Sequence, residues 1–149
     1  GYPADEAATY DSLRMRIAEC GHLFLCAVCD EGILGYVCST CTSASKLTHD
    51  SMSTHEPDGT TLCIHSVCVA QPHRRRGVAS AALRAYINYV RATSPHLRQV
   101  RLISKQYLIP FYERLGFKLL GESDVVHGAD TWYELAYELP GADDDGGDE

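Results

Sequence analysis

The chain has 149 residues, 45% hydrophobic and 22% charged, which is the composition of one ordinary globular domain able to bury a core. No apolar run approaches the roughly 20 residues needed to cross a bilayer and no signal-peptide pattern opens the chain, so neither a membrane span nor secretion is expected. The net charge of −7 argues against a general binder of nucleic acid, which would carry a basic face over the whole domain.

Residues 5–20 place Leu13, Ile17 and Cys20 at helical spacing, with Pro3 ahead and Gly21 behind, and predict a helix. "HLFLCAVC" and "ILGYVCSTC" are two β-rich runs joined by Asp30-Glu31-Gly32, a hairpin signal. Residues 43–59 are polar, include the turn Pro57-Asp58-Gly59, and read as a loop with a short helix near 47–52. "TTLCIHSVCV", residues 60–69, is the strongest strand signal. Residues 77–92 predict a helix whose apolar face is Val78, Ala82, Leu83, Tyr86, Ile87 and Val90. "QVRLIS" follows as a strand. Residues 107–115 predict a short helix with Pro110 in its first turn and Gly116 at its end. "FKLLGES" and "TWYELAYEL" are two more strands around a turn at His127-Gly128. With no repeat and no linker, this order predicts one α/β domain over residues 1–140. The remaining segment, 141–149, holds five acidic residues and no large apolar one, and is expected to be a disordered tail.

Seven cysteines, an odd number, fit reduced thiols in a cytoplasmic protein. Cys26/Cys29 and Cys38/Cys41 have the C-x-x-C spacing of a zinc ribbon. Each pair lies inside a β-rich run, where residues three apart point to opposite faces. No tight turn separates the two members, so buried thiols are the preferred reading and no metal is expected.

The segment "VAQPHRRRGVASAALR" puts Arg74, Arg75 and Arg76 between a strand and a helix. The first-turn N–H groups of a helix lack intrahelical partners and attract anions. Gly77 allows close backbone approach, and Ala79 and Ser80 keep the turn uncrowded. A neighbouring arginine adds charge-assisted bonds to phosphate. This suits a pyrophosphate, although neither a Walker P-loop nor a G-x-G-x-x-G fingerprint is present.

"RRRGVA" resembles the Q/R-x-x-G-x-G/A signature of the GCN5-related N-acetyltransferase superfamily, with Ala79 at the final small position. "KLTHDSMSTHEPDG", "CIHSVCV" and "YLIPFYERLGF" further resemble the arylalkylamine (serotonin) N-acetyltransferases, in that family's order and over nearly the whole chain. The resemblance implies a mixed α/β acyl-CoA N-acyltransferase fold, its sheet splayed between the strands at 60–69 and 99–104. It also implies a further strand and helix ahead of Gly1, with a loop that helps to wall the amine pocket. The implied reaction is N-acetylation of a small primary amine, favourably an arylalkylamine, by direct attack on acetyl-CoA in a ternary complex. A polyamine or other alkylamine is the nearest alternative substrate, and a CoA-binding module without efficient turnover is the non-enzymatic one. No nucleic-acid or membrane partner is implied, and the oligomeric state is left open.

The resemblance assigns acetyl-CoA to Val67, Cys68 and Val69, whose backbone meets the pantetheine arm, and to Arg74, Arg75, Arg76, Gly77, Val78, Ala79 and Ser80. His65 is the candidate proton acceptor, its ordinary pKa being about 6.5, and reads otherwise as a satisfied histidine on a strand face. Tyr112 matches the tyrosine that protonates the leaving sulfur, and reads otherwise as a packed aromatic ring. The family has two histidines two residues apart on this strand. Here the pair is Cys63 and His65, which leaves Cys63 as an expected substrate contact. Trp132 falls where the family places an aromatic wall of the amine pocket, and reads equally as a core residue.

Overall fold

The computed structural model describes residues 7–140; the start of the expected first helix at Asp5 and the acidic tail lie outside these residues. Helix α1 spans Tyr10–Cys20 and begins later than its periodicity suggests, because Thr9 caps it by accepting a hydrogen bond from Ser12 N at 3.1 Å. Its inward face also differs from expectation. Arg16 and Cys20, four residues apart, are buried, whereas Ile17 is 58% exposed. Gly21, which follows the helix, has φ −58° and continues the chain into a 3₁₀ turn over Gly21–Leu23.

Strands β1 (Phe24–Cys29) and β2 (Gly32–Thr42) form the expected hairpin, turning at Asp30 and Glu31 with Gly32 at φ 120°. The loop 43–60 folds back on β2. The Glu56 carboxylate accepts bonds from the hydroxyls of Thr42 and Ser43, and His55 Nδ1 accepts from Cys41 N at 3.0 Å. A 3₁₀ turn over Asp50–Met52 lies where a short helix was expected.

Strand β3 (Thr61–Val69) leads through a 3₁₀ turn, Gln71–His73, to helix α2 (Val78–Thr93). Leu83, Tyr86, Ile87 and Val90 bury the face that the periodicity marks, each worth on the order of 1.5–3 kcal/mol of apolar burial. The buried Tyr86 hydroxyl is satisfied by the Leu23 carbonyl at 2.7 Å and Ser39 Oγ at 2.6 Å. Strand β4 (Gln99–Ser104), the short helix α3 (Ile109–Arg114), β5 (Lys118–Glu122) and β6 (Tyr133–Glu138) complete the described chain.

The six strands form one sheet in the order β1-β2-β3-β4-β6-β5. All neighbours are antiparallel except β3 and β4. The parallel pair holds only over Thr61↔Gln99, Leu62↔Val100 and Cys63↔Arg101. Past those residues β3 continues to Val69 beside β2 and β4 to Ser104 beside β6, but the two do not pair with each other, so the sheet opens into a wedge. This is the splay expected between these two strands.

Candidate functional site

Two cavities open at the wedge. The first, about 220 Å³, is bounded by α1, the loop around His49 to Ser53, and β3; Arg16, His65 and Trp132 are among its lining residues. The second, about 470 Å³, runs past Val67, Cys68 and Val69 to Arg74 and Ala79 on one side and to Phe111 and Tyr112 on the other. Ile103 and Trp132 line both, so the cavities meet at that point.

His65 owes its position to a bulge. Ser39 pairs with Ile64 and Cys38 with Ser66, so His65 is the extra residue of β3 against β2. A bulge re-aims a side chain relative to regular strand alternation. The His65 ring meets Thr40 Oγ1 through Nε2 at 2.8 Å, and Thr40 Oγ1 donates its own proton to the Ser51 carbonyl at 2.6 Å. With the Thr40 proton committed there, the hydroxyl can only accept, which places the imidazole proton on Nε2. Nδ1 is then a bare acceptor, buried and without a hydrogen-bond partner among the described residues. Burial first, and the nearby Arg16 charge second, push the His65 pKa down to about 3. The ring is therefore neutral at physiological pH.

This has a measurable consequence for stability. Between pH about 3 and the ordinary histidine value of about 6.5, the unfolded chain binds a proton at His65 that the folded chain does not. Stability is thus lost as pH falls through that window. Urea midpoints measured from pH 7 to pH 4 are expected to fall more steeply for the wild type than for His65→Gln; parallel slopes would contradict the neutral buried ring.

Tyr112 is 7% exposed on α3, with the Phe111 and Phe117 rings 5.0 and 5.8 Å from its own. Pro110 lies in the first turn of α3, and Gly116 at φ 101° turns the chain out of it, so the local sequence sets the orientation of this aromatic group. Trp132 is buried just ahead of β6, its Nε1 donating to the His127 carbonyl and Lys105 Nζ lying 5.2 Å from its ring centroid.

At the start of α2, Gly77 adopts φ 75° and no side chain caps the helix. The first-turn N–H groups consequently have no intrahelical acceptor. Arg74 and Ala79 line the larger cavity, and Arg74 Nε donates to the Val69 carbonyl at 2.9 Å. Arg75, Arg76, Gly77, Val78 and Ser80 do not line it; they stand beside Ala79 in the loop and first turn, with Arg75 in an unusual left-handed conformation at φ 63°.

Cys63 needs correction as an expected substrate contact. It is fully buried and lines neither cavity, because it lies in the short stretch where β3 is paired on both sides, with Thr40 and Arg101. Burial pushes its thiol up to about 12, so it is neutral. Of the two C-x-x-C pairs, Cys26 and Cys29 are exposed while Cys38 and Cys41 are buried. Two charged lining residues escaped the sequence reading. Arg16 lies outside the Leu13, Ile17 and Cys20 face, though its four-residue spacing from Cys20 is that of a shared face. Lys105 lies next to Ser104 at the open end of β4, with no motif to mark it.

Comparison with known proteins decides the family. Residues 2–117 match the family described as Acetyltransferase (GNAT) family. The chain belongs to the GNAT acetyltransferases. The serotonin N-acetyltransferase of Mesocricetus auratus is 28% identical to it over 129 residues, 87% of this chain and 62% of that protein. The Homo sapiens serotonin N-acetyltransferase is 24% identical over 131 residues, 88% of this chain and 63% of that protein. This GNAT chain thus spans under two thirds of the length of these curated relatives. Among solved structures, the loading GNATL domain of CurA from Lyngbya majuscula superposes with a TM-score of 0.80 at 12% identity, covering 92% of this chain and 86% of that one. The GphF GNAT-like decarboxylase in complex with isobutyryl-CoA superposes at 0.75 and 15% identity, covering 93% and 89%. These likenesses establish the GNAT fold. Among the described residues no helix is long and apolar enough to cross a membrane.

Proposed function

We propose that this chain transfers the acetyl group of acetyl-CoA to a small primary amine with a flat apolar part, an arylalkylamine in the first instance. The observation that carries this reading is the loss of β3–β4 pairing beyond Cys63 and Arg101, which leaves two cavities meeting at Ile103 and Trp132. The larger one takes the cosubstrate. Among the described residues no strand pairs with β3 on its β4 side beyond Cys63, so the backbone near Val67, Cys68 and Val69 offers the amide-bearing pantetheine arm a strand-like partner. The free N–H groups at the start of α2, with Arg74 beside them, receive the pyrophosphate.

The amine enters the smaller cavity. His65 Nδ1 accepts a hydrogen bond from its N–H and orients the nitrogen lone pair at the thioester carbon. As the C–N bond forms, the amine proton passes to Nδ1 and onward to solvent. With so depressed a pKa, His65 is an acceptor at every physiological pH but a weak base, so the amine must arrive neutral or lose its ammonium proton on entry. The C–S bond then breaks, Tyr112 gives its phenolic proton to the departing sulfur, and solvent restores it.

Polyamines fit less well. A second ammonium requires carboxylates, and none is found among the described residues lining the smaller cavity. The relatives named serotonin N-acetyltransferase support an aromatic acceptor, as does Trp132 in the wall. The test is a panel of amines assayed with acetyl-CoA on the full natural chain. CoA release with aromatic amines is expected; retention of CoA without transfer to any amine would leave only a binding module. Trp132→Ala is expected to raise KM for aromatic amines about tenfold more than for alkylamines, since only the former lose stacking. Equal losses for both would return Trp132 to the core.

A further inference from the structure

Arg16 is 4% exposed and lines the smaller cavity. Nη2 donates to the Met52 carbonyl at 2.9 Å, and Nη1 points at Cys38 Sγ at 3.7 Å. Nε is buried, with no hydrogen-bond partner among the described residues. Among the described residues no carboxylate pairs with this guanidinium. Cys38 does not supply the missing charge either: burial raises its thiol pKa, against a smaller opposing pull from Arg16, so it stays neutral. A guanidinium cannot escape by losing its proton, and a buried cation without a counter-charge is strongly disfavoured. What surrounds Arg16 is a cavity whose other described lining includes the Thr9, Ser12, Ser53 and Ser66 hydroxyls and three histidines, but no acid. A planar guanidinium lining such a space, with one N–H unpartnered among the described residues, suits an oxyanion group of a ligand, such as a carboxylate.

We propose that Arg16 is a carboxylate-binding residue, so that the preferred acceptor is a small molecule carrying both a primary amine and a carboxylate, of the amino-acid type, with its amine at His65 Nδ1 and its carboxylate on the guanidinium. This rests on the acetyl-transfer reading above and narrows its acceptor from bare arylalkylamines to their carboxylated counterparts. The cavity volume of about 220 Å³ suits a molecule of that size better than a folded protein surface. A carboxylate there also neutralises the charge that would otherwise repel an incoming ammonium.

Matched pairs test it: tryptophan against tryptamine, phenylalanine against phenethylamine, and 4-aminobutyrate against butylamine, each at saturating acetyl-CoA with the full natural chain. In at least one pair kcat/KM for the carboxylated member is expected to exceed that of its partner by about tenfold or more. Arg16→Met should bring the two members within about threefold, and Arg16→Lys should retain part of the preference, keeping the charge but not the fork. Equal or better use of the bare amine in all three pairs would overturn the assignment, and this arm needs no variant to fold. Should no amine be acetylated, the transfer reading falls, and calorimetry on the CoA-loaded protein decides the carboxylate site separately. N-acetyltryptophan binding at least about tenfold more tightly than N-acetyltryptamine would uphold it; equal binding, or none, would overturn it.

Discussion

Tyr112→Phe is expected to lower kcat for acetyl transfer by about 10²–10⁴-fold, the usual worth of a positioned general acid, with KM for acetyl-CoA little changed. The substitution removes one hydroxyl and keeps the ring. That ring is wedged between Phe111 and Phe117 and buried on the core side of α3, so its packing survives the change. What is lost is the proton delivered to the thiolate as the C–S bond breaks, an interaction made only in the transition state. Single-turnover measurements separate this from product release. A Tyr112→Phe protein with unchanged kcat, under conditions where chemistry limits the rate, would remove Tyr112 from the reaction.

Gly77→Asp should weaken CoA binding by about 10²-fold, measured by calorimetry. Two unit charges 4 Å apart repel by about 4 kcal/mol at an effective dielectric of 20, and surface exposure and salt remove part of that. A Cβ at Gly77 meets nothing within 4 Å, so the added side chain finds room. The φ of 75° is one that Asp and Asn tolerate better than most residues. Gly77→Asn therefore serves as the control: similar in size and conformation but uncharged, it should lose about tenfold less than the aspartate. Equal losses would mean that geometry alone matters at this position. Wild-type affinity in Gly77→Asp would place the pyrophosphate elsewhere.

Much of the scaffold behind these expectations is local in origin and was legible in order along the chain. The hairpin at Asp30, Glu31 and Gly32 follows from turn chemistry between β-rich runs. The inward face of α2 follows from a period of about 3.6 residues. The limits of α3 follow from Pro110 and Gly116, one unable to sit deeper in a helix and the other free to leave it at positive φ. The family motifs then indicated how these pieces assemble, and the wedge between β3 and β4 lies where they implied it would.

The site depended on relations that no single segment contains. Periodicity on α1 identified a face through Leu13, Ile17 and Cys20, but neighbours on a helix lie only about 100° apart, and which of them turns inward is set by what packs against it. The Met52 carbonyl and Cys38 lie on the inner side, and they receive Arg16 while Ile17 faces outward. The family resemblance set Cys63 and His65 side by side as the counterparts of a histidine pair. Pairing on both sides encloses Cys63, and a one-residue bulge against β2 turns the His65 side chain toward Thr40, with Nδ1 left unpartnered. Sequence by itself determined most of the elements and turns, because these rest on contacts a few residues apart, and its motifs pointed to the family. Only the tertiary structure decided which polar groups end up buried without a partner, since that requires counting every neighbour that long-range folding brings to them.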